Sequence, residues 1–545
     1  MKNLFIRIHL ISAFFLLTHT SKAQKTIAAD SLKNVIDGNL YPFSTLLPGD
    51  TILLLPGIRP FIILKNINGS PEKPIIICNS QGEVEINSDH YFGISIRRSF
   101  HLKLSGKGSA PVKYGIRIFN KVGSGLSIGD YTSFVEVEGV EVGYSQYSGI
   151  VAKTEPFCGF LRSSFIQENT SIHDCYVHHT GTEGMYIGSS FYNGQVIQCN
   201  NTAVTVLPPL LRNVEVYNNI VEYTGWDGIQ VSSAINTRIH HNLIRYDSQS
   251  KTDWQMTGII LGEGSTGEIY NNEIKDGEGS GIFTNGLGDI YIYNNKILRP
   301  GKNNNLSSGK YGMYIDEKSA ISGMYFYIFN NLILNARTEG IRFLSHKGKK
   351  KNFIVNNVIL KSDLSAGNLE EGYINIVGEK ITLGSNFTTT DLSLLRFHDF
   401  DKDDYRVEAG SLLIDAGQLL PFKNLLNDFE DHSRLQGTAI DIGPHESSFE
   451  REIYSNSTTQ DVAYPNPVSG ADKTTISFQN PVEGWIEFIL VDHTGKKIKQ
   501  LDRNYFTVGT QYKIIQVSEL KSGLNFIQIK KRMDNSIVRI SVSER

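Results

Sequence analysis

A six-residue frame containing two consecutive polar positions recurs along the middle of the chain, and this repeat constrains the fold more than any other feature. Val216-Tyr217-Asn218-Asn219-Ile220-Val221 aligns with Ile239-His240-His241-Asn242-Leu243-Ile244. The frame returns around Asn272, Asn295, Asn331 and Asn357, so that the second polar residue is separated from the next by 23, 30, 23, 36 and 26 residues. A second marker keeps step. Gly228-Ile229, Gly281-Ile282 and Gly340-Ile341 each follow an Asn by nine residues, and Gly184-Met185 follows Cys175 by nine. In other units Gly258, Gly312 and Gly372 come after longer loops.

Apolar residues alternate within each unit, and β-branched, Asn- and Gly-rich stretches make poor helices. Each unit therefore reads as three short strands and three turns. Stacked coils lie about 4.8 Å apart, so equivalent residues pile into columns. An inward Asn can bond its amide to the next coil's Asn, forming a ladder, and Asn tolerates the left-handed corner that a tight turn demands. A β-propeller would need blades of about 40–45 residues with their own signature. The pattern resembles the parallel β-helix repeats of the pectate-lyase-like superfamily over roughly residues 45–385. That resemblance implies a right-handed solenoid, a fold shared by many polysaccharide lyases, hydrolases and epimerases. The expected class is all-β: a right-handed parallel β-helix followed by a small immunoglobulin-like β-sandwich.

The termini suggest export. Lys2 and Arg7, the apolar run Ile8 to Leu17, and Ser21-Lys22-Ala23 form a signal-peptide pattern over residues 1–23, with Gln24 as mature start. No later stretch reaches the ~20 apolar residues of a membrane span. Residues 24–385 are assigned to the β-helix with its N-terminal cap, including a short capping helix at Ala28–Ile36. Leu47 to Gly57 is similar to the first coil of many secreted β-helices, chondroitin and alginate lyases among them. Residues 386–449 form a C-terminal cap. There Ser411 to Gly417, Asp428, Arg434 and Asp441 to Glu446 resemble a tail seen after bacterial β-helices, read as structural in preference to calcium-binding. Polar residues 450–460 read as a linker.

Residues 461–545 show short strands at sandwich spacing. Tyr464-Pro465-Asn466-Pro467, Val491 to Lys496 and Leu520 to Phe526 resemble the type A C-terminal sorting domain of type IX secretion systems. The resemblance implies export across the outer membrane, removal of the domain and attachment to surface lipopolysaccharide. The final Ser541 to Arg545 is less basic than is usual there. A carbohydrate-binding or adhesive sandwich is the alternative.

A net charge of −3 argues against a nucleic-acid partner. Four cysteines without a CxxC pair make neither a disulfide framework nor a zinc site, and leave their pairing open.

Chemistry is expected on the strand that begins at each Gly-Ile marker. Insertions Asp247–Met256 and Arg299–Lys310 fall before it, and Ser189–Arg212 after it. With Ile229 and Val231 inward, Gly228 and Gln230 are expected to face out. The same register gives an outward column of Tyr186, Gln230, Ile260, Phe283, Tyr314 and Arg342 beside a flat glycine floor. Tyr186, Gln230, Phe283 and Tyr314, with Trp226, Trp254 and Asp316, are the expected substrate-binding residues.

Glu183, Asp227, Ser280 and Glu339 precede the marker glycines. Carboxylates of Glu183 and Asp227 on adjacent coils would stand about 5 Å apart. That spacing splits their pKa values and suits a retaining glycosidase. It equally suits a calcium site, or turn acids with no special role. Arg342, Lys310 and Lys318 are candidates for lyase chemistry, which rests on fold analogy alone. Glu183, Asp227 and Arg342 are the expected catalytic residues. The clustered His173, His178, His179, His240 and His241 occupy columns shared with Tyr, as stacked rings would.

The sequence thus predicts a monomeric, secreted, surface-sorted protein that binds and cleaves or modifies a polysaccharide, as a lyase or glycoside hydrolase. The alternative is a non-catalytic glycan- or matrix-binding protein. Expected partners are the polysaccharide and the type IX machinery. No metal is assigned, calcium being the one cofactor the acids allow.

Overall fold

The computed structural model describes residues 24–545 except 302–309, 347–350, 363–371, 391, 393–394, 421–422, 424, 450–460, 465, 467, 469–472, 481–482, 493–495, 532–534 and 543–545. The signal-peptide pattern, the linker, most of the Arg299–Lys310 insertion and parts of the sorting motifs lie outside the described residues.

Three parallel sheets of fourteen, twelve and twelve strands run the length of the solenoid. The chain visits them in turn. One coil runs through Leu210–Tyr217 in the first sheet, Ile220–Thr224 in the second and Ile229–Ser232 in the third. Each strand pairs with its equivalents one coil before and after, so every register is parallel. Alternate Ile, Val and Leu side chains turn inward, and one continuous core extends from Ile27 to Tyr373.

The Asn-Asn corner divides its two tasks. The first polar residue adopts the left-handed conformation, with φ of 54° at Asn218 and His241, 52° at Asn271 and 53° at Asn294 and Asn330. The second points inward and builds the ladder. Asn242 Nδ2 donates to Asn272 Oδ1 at 3.0 Å, and Asn272 Nδ2 donates to Asn295 Oδ1 at 3.0 Å. The same oxygens accept the backbone amides of Asn242 and Asn272. The ladder continues through Asn331 and Asn357 to Asn386.

Two expectations change. The chain start forms strands Thr26–Ala29 and Val35–Asp37, not a capping helix. The first of these pairs in parallel with Thr51–Leu54 and so continues the sheet. The marker glycines are not an outward floor. A Cβ on Gly228 would lie 2.7 Å from the Ile244 methyl and 2.5 Å from the Gly258 carbonyl, and Gly184, Gly281 and Gly312 are hemmed in alike. Glycine stands there because the second and third sheets meet too closely for a side chain.

Beyond the last parallel strand, Phe387–Thr389, the cap tail runs back along the solenoid. The left-handed asparagines receive it. Asn294 donates to the Asn427 carbonyl, Asn330 to the carbonyls of Asp441 and Gly443, and Asn356 to that of Gln418. Arg434 is fully buried and donates to Asn294 Oδ1 and the Gly443 carbonyl at 2.7 Å each, with Glu446 beside it. Asp428 accepts the amides of Glu430, His432 and Glu446. The tail acids are thus engaged in holding the cap together.

The C-terminal module has antiparallel sheets of three and four strands around its own core, including Ile476, Phe478, Phe488, Ile527 and Ile540. Cys158 and Cys199 form a disulfide, and Cys78 and Cys175 are free.

Candidate functional site on the third sheet

The outward column of the third sheet is in register: Tyr186 pairs with Gln230, then Ile260, Phe283, Tyr314 and Arg342. Gln230 and Ile260 are buried, so the column splits into two half-buried ends, Tyr186 at one and Phe283, Tyr314 and Arg342 at the other.

At the N-terminal end the Tyr186 hydroxyl lies 3.0 Å from Ser190 Oγ, which also accepts from Gln230 Nε2 at 2.6 Å. Lys153 Nζ sits 4.5 Å over the Tyr186 ring. Lys153 was not anticipated, although it lies outward, two residues beyond the Tyr186 partner Val151. The Ser189–Arg212 insertion makes a wall here. Its hairpin, Gln195–Cys199 with Thr202–Val206, is tethered through Cys199 to Cys158, and Arg162 donates to the carbonyls of Tyr192 and Pro208.

The C-terminal end is an aromatic shelf. Phe283 and Tyr314 stack at 5.3 Å, and Tyr311 lies 5.1 Å from Tyr314. The Arg342 guanidinium stands 5.7 Å from the Tyr311 ring and donates to Glu339 Oε1 at 2.6 Å. Burial, with the charge of Asp316 behind it, raises the Tyr314 pKa and keeps the phenol protonated. Asp316 accepts the Lys318 amide, and His346 Nε2 lies 3.0 Å from its Oδ1. His346 is roughly half exposed. It continues the outward alternation of Arg342 and Leu344, and extending the repeat by two positions would have revealed it.

Arg342 lies five strands from Tyr186, or about 24 Å along the solenoid. It therefore shares no reacting centre with Glu183 and Asp227. Trp254 is exposed on the 247–256 insertion, and Trp226 is half-buried beneath it. Lys310 is buried, and burial lowers its pKa; Lys318 is exposed.

The expected catalytic pair is adjacent but sealed. The Gly184 amide donates to the Asp227 carbonyl, which fixes the two acids on neighbouring coils. Glu183 is buried and accepts from Ser148 Oγ at 2.9 Å. Asp227 has 0% exposure. Asp227 stands in the corner just before the strand Ile229–Ser232, where the second and third sheets meet closely. The insertion completes the seal. Ser248, Gln249 and Ser250 donate their amides to the carbonyls of Trp226, Thr224 and Gly225. Neither Asp227 oxygen has a hydrogen-bond partner among the described residues. Burial, then the charges of Glu183 and Asp247, push its pKa well above the usual carboxylate value, although the amides of Thr257 and Asp227 itself pull the other way. A carboxyl so enclosed touches no glycan, and the retaining-pair expectation fails in this conformation.

The histidines stack as expected. His173, Tyr217, His240, Tyr270 and Tyr293 form one pile at 4.5–5.1 Å, and His179 stacks on Tyr223 at 4.9 Å. Glu136, Glu138 and His173 converge closely enough to hold a metal. Lys103 already pairs with both of these glutamates.

Comparison with known proteins supports the fold and the destination. Residues 166–359 match the family described as the right handed beta helix region, and residues 462–543 match the secretion system C-terminal sorting domain. The chain is thus a right-handed β-helix protein carrying a type IX sorting domain, and it is directed to the cell surface or exterior. Among the described residues no helix is long and apolar enough to cross a membrane. No curated protein matches. Similar solved structures include a GH136 lacto-N-biosidase from Eubacterium ramulus, at 15% identity over 67% of each chain with a TM-score of 0.40. An alginate lyase from Paenibacillus sp. is 10% identical over 67% of this chain and 99% of its own, with a TM-score of 0.35. A PL6 family polysaccharide lyase from Pseudopedobacter saltans is 16% identical over 67% of this chain and 92% of its own, with a TM-score of 0.26.

Proposed function

We propose that this exported protein binds an acidic polysaccharide along the outer face of the third sheet and cleaves it at the C-terminal end of that face. The observation that carries the reading is the in-register shelf of Phe283, Tyr314 and Arg342, with the Asp316–His346 pair beside it. Aromatic faces offer apolar area to sugar rings, and Arg342 offers a planar fork to a uronate carboxylate. Asp316 orients the His346 ring and leaves its other nitrogen for proton transfer. Tyr314, held protonated, serves as the acid in this reading. This set suits elimination α to a carboxylate: His346 takes the proton, the glycosidic C–O bond breaks, and the departing oxygen is protonated.

A non-catalytic glycan-binding protein is the second reading, favoured by the sealing of Asp227. Incubation of the mature protein with uronic-acid and neutral glycans separates the two. Unsaturated uronate absorbance that falls at least tenfold in His346→Ala, with binding retained, supports elimination. New reducing ends without that absorbance indicate hydrolysis, and binding with neither product supports the second reading.

A further inference from the structure

We propose that Asp428, Glu430, His432 and His445 bind one divalent ion of the zinc type, which locks the cap tail where it doubles back. The site is structural and lies apart from the glycan shelf.

The tail reverses in a tight turn. Asn427 and Ser433 bridge across it, and the Asp428 amide donates to the His432 carbonyl at 2.9 Å. Alternate residues of this Asp-x-Glu-x-His turn converge. One carboxylate oxygen each from Asp428 and Glu430 and a ring nitrogen of His432 all lie within 4.8 Å of one another. His432 Nδ1 stands 3.9 Å from Asp428 Oδ2 and 3.8 Å from Glu430 Oε2. Asp428 is fully buried and fixed in place, since its Oδ1 accepts the amides of Glu430 and His432 and its Oδ2 that of Glu446. A carboxylate has about four lone-pair sites, so three amides leave it one to give.

A second segment supplies an independent observation. The Phe429 amide donates to the Pro444 carbonyl at 2.8 Å, which lays residues 444–446 beside the turn. His445 thereby meets Glu430, with Nδ1 3.9 Å from the same Oε2 that faces His432. His445 is only 7% exposed, and neither of its ring nitrogens has a hydrogen-bond partner among the described residues. Burying a polar group unbonded is costly, and a metal on Nδ1 answers it.

Separations of 3.8–3.9 Å are too long for hydrogen bonds. They are close to those of ligands sharing one ion: donors about 2.0–2.2 Å from zinc stand about 3.3–3.6 Å apart in a tetrahedron. Among the described residues no lysine or arginine forms a salt bridge with Asp428 or Glu430. Arg406, near Glu430, is held by Asp404, Lys296 by Glu273 and Arg434 by Glu446. The cluster of Glu136, Glu138 and His173 differs in this respect, because Lys103 already pairs with it. Two carboxylates with two imidazoles select a borderline ion over calcium, which takes oxygen ligands. Bound from two segments, the ion fastens the 428–432 turn to residues 444–446.

Full-length protein stripped with EDTA should take up about one zinc per chain from zinc chloride, measured by elemental analysis. Its melting temperature should rise by several degrees with zinc chloride and stay put with calcium chloride. Glu430→Gln and His432→Ala replace exposed side chains, so both should fold and melt like metal-free wild type. Each should weaken zinc binding about tenfold or more. His173→Phe should leave zinc binding unchanged. No saturable zinc uptake, an equal shift with calcium, or undiminished zinc binding in His432→Ala would overturn the proposal. Because the readouts are metal content and stability, they stand whether or not the shelf cleaves glycan.

Discussion

Replacing Asn272 by Leu tests the ladder at its centre. Asn272 is fully buried, and its Oδ1 accepts both the backbone amide and the side-chain amide of Asn242 at 3.0 Å. Its Nδ2 donates to the carbonyls of Ile239 and Tyr270 and to Asn295 Oδ1. Leucine has similar volume but neither group. Asn242 Nδ2 keeps the Val216 and His240 carbonyls, and Asn295 Oδ1 keeps the backbone amide of residue 272. The Tyr270 carbonyl keeps the His241 amide, so two groups lose these partners: the Asn242 backbone amide and the Ile239 carbonyl that the side chain had bonded. At ~1–3 kcal/mol for each stranded group, the loss is about 2–6 kcal/mol. Because a solenoid is held by nearest-neighbour interfaces, the effect should concentrate at that coil junction. Denaturant melts give the total, and amide exchange at Asn242 gives the locality. Asn87→Ser, on an exposed side chain, should stay within about 0.5 kcal/mol. Wild-type stability in Asn272→Leu, with the Asn242 amide still protected, would refute the reasoning.

Arg434→Ala should cost about 3–5 kcal/mol, because it strands Glu446 inside the cap; early proteolysis between residues 418 and 446 would report it. The Glu136 carboxyl is drawn down from 4.5 to about 2, chiefly by its hydrogen bond to His173 and then by Lys103. That contribution is present above pH 4.5 and is lost as pH falls toward 2. His173 in turn is raised above 6.5 by Glu136 and Asp174 despite its burial, so its share fades as pH rises beyond that value. His173→Phe should keep the ring stack on Tyr217 and flatten the acid limb of the stability curve, as followed by circular dichroism against pH.

Much of this architecture was legible because a coil repeats its constraints. The register from Tyr186 to Arg342 followed from spacing alone, since loops of any length return the chain to the same column. What repetition could not show was how the exceptions fold. The insertion at Asp247 lays its own amides over the Asp227 turn, and no column records that. The glycine column was assigned the wrong face because simple alternation fails at a corner, where two sheets approach closely. The paired asparagines look equivalent in sequence, yet backbone hand separates them: one turns into the ladder and the other outward. Asp316 was singled out without its partner because His346 lies just past the end of its strand.

The outward asparagines have a mechanical consequence. A solenoid built only of neighbour contacts can peel from an open end one rung at a time. Here a single strap spans four rungs, running back from Asn356 to Asn294 and Asn271 and then returning to Asn330. A pull on the C-terminus, where the sorting module is attached, loads the strap first and shares the force among those rungs. The last third of the solenoid should therefore yield as a block, with one large rupture replacing a staircase of small ones.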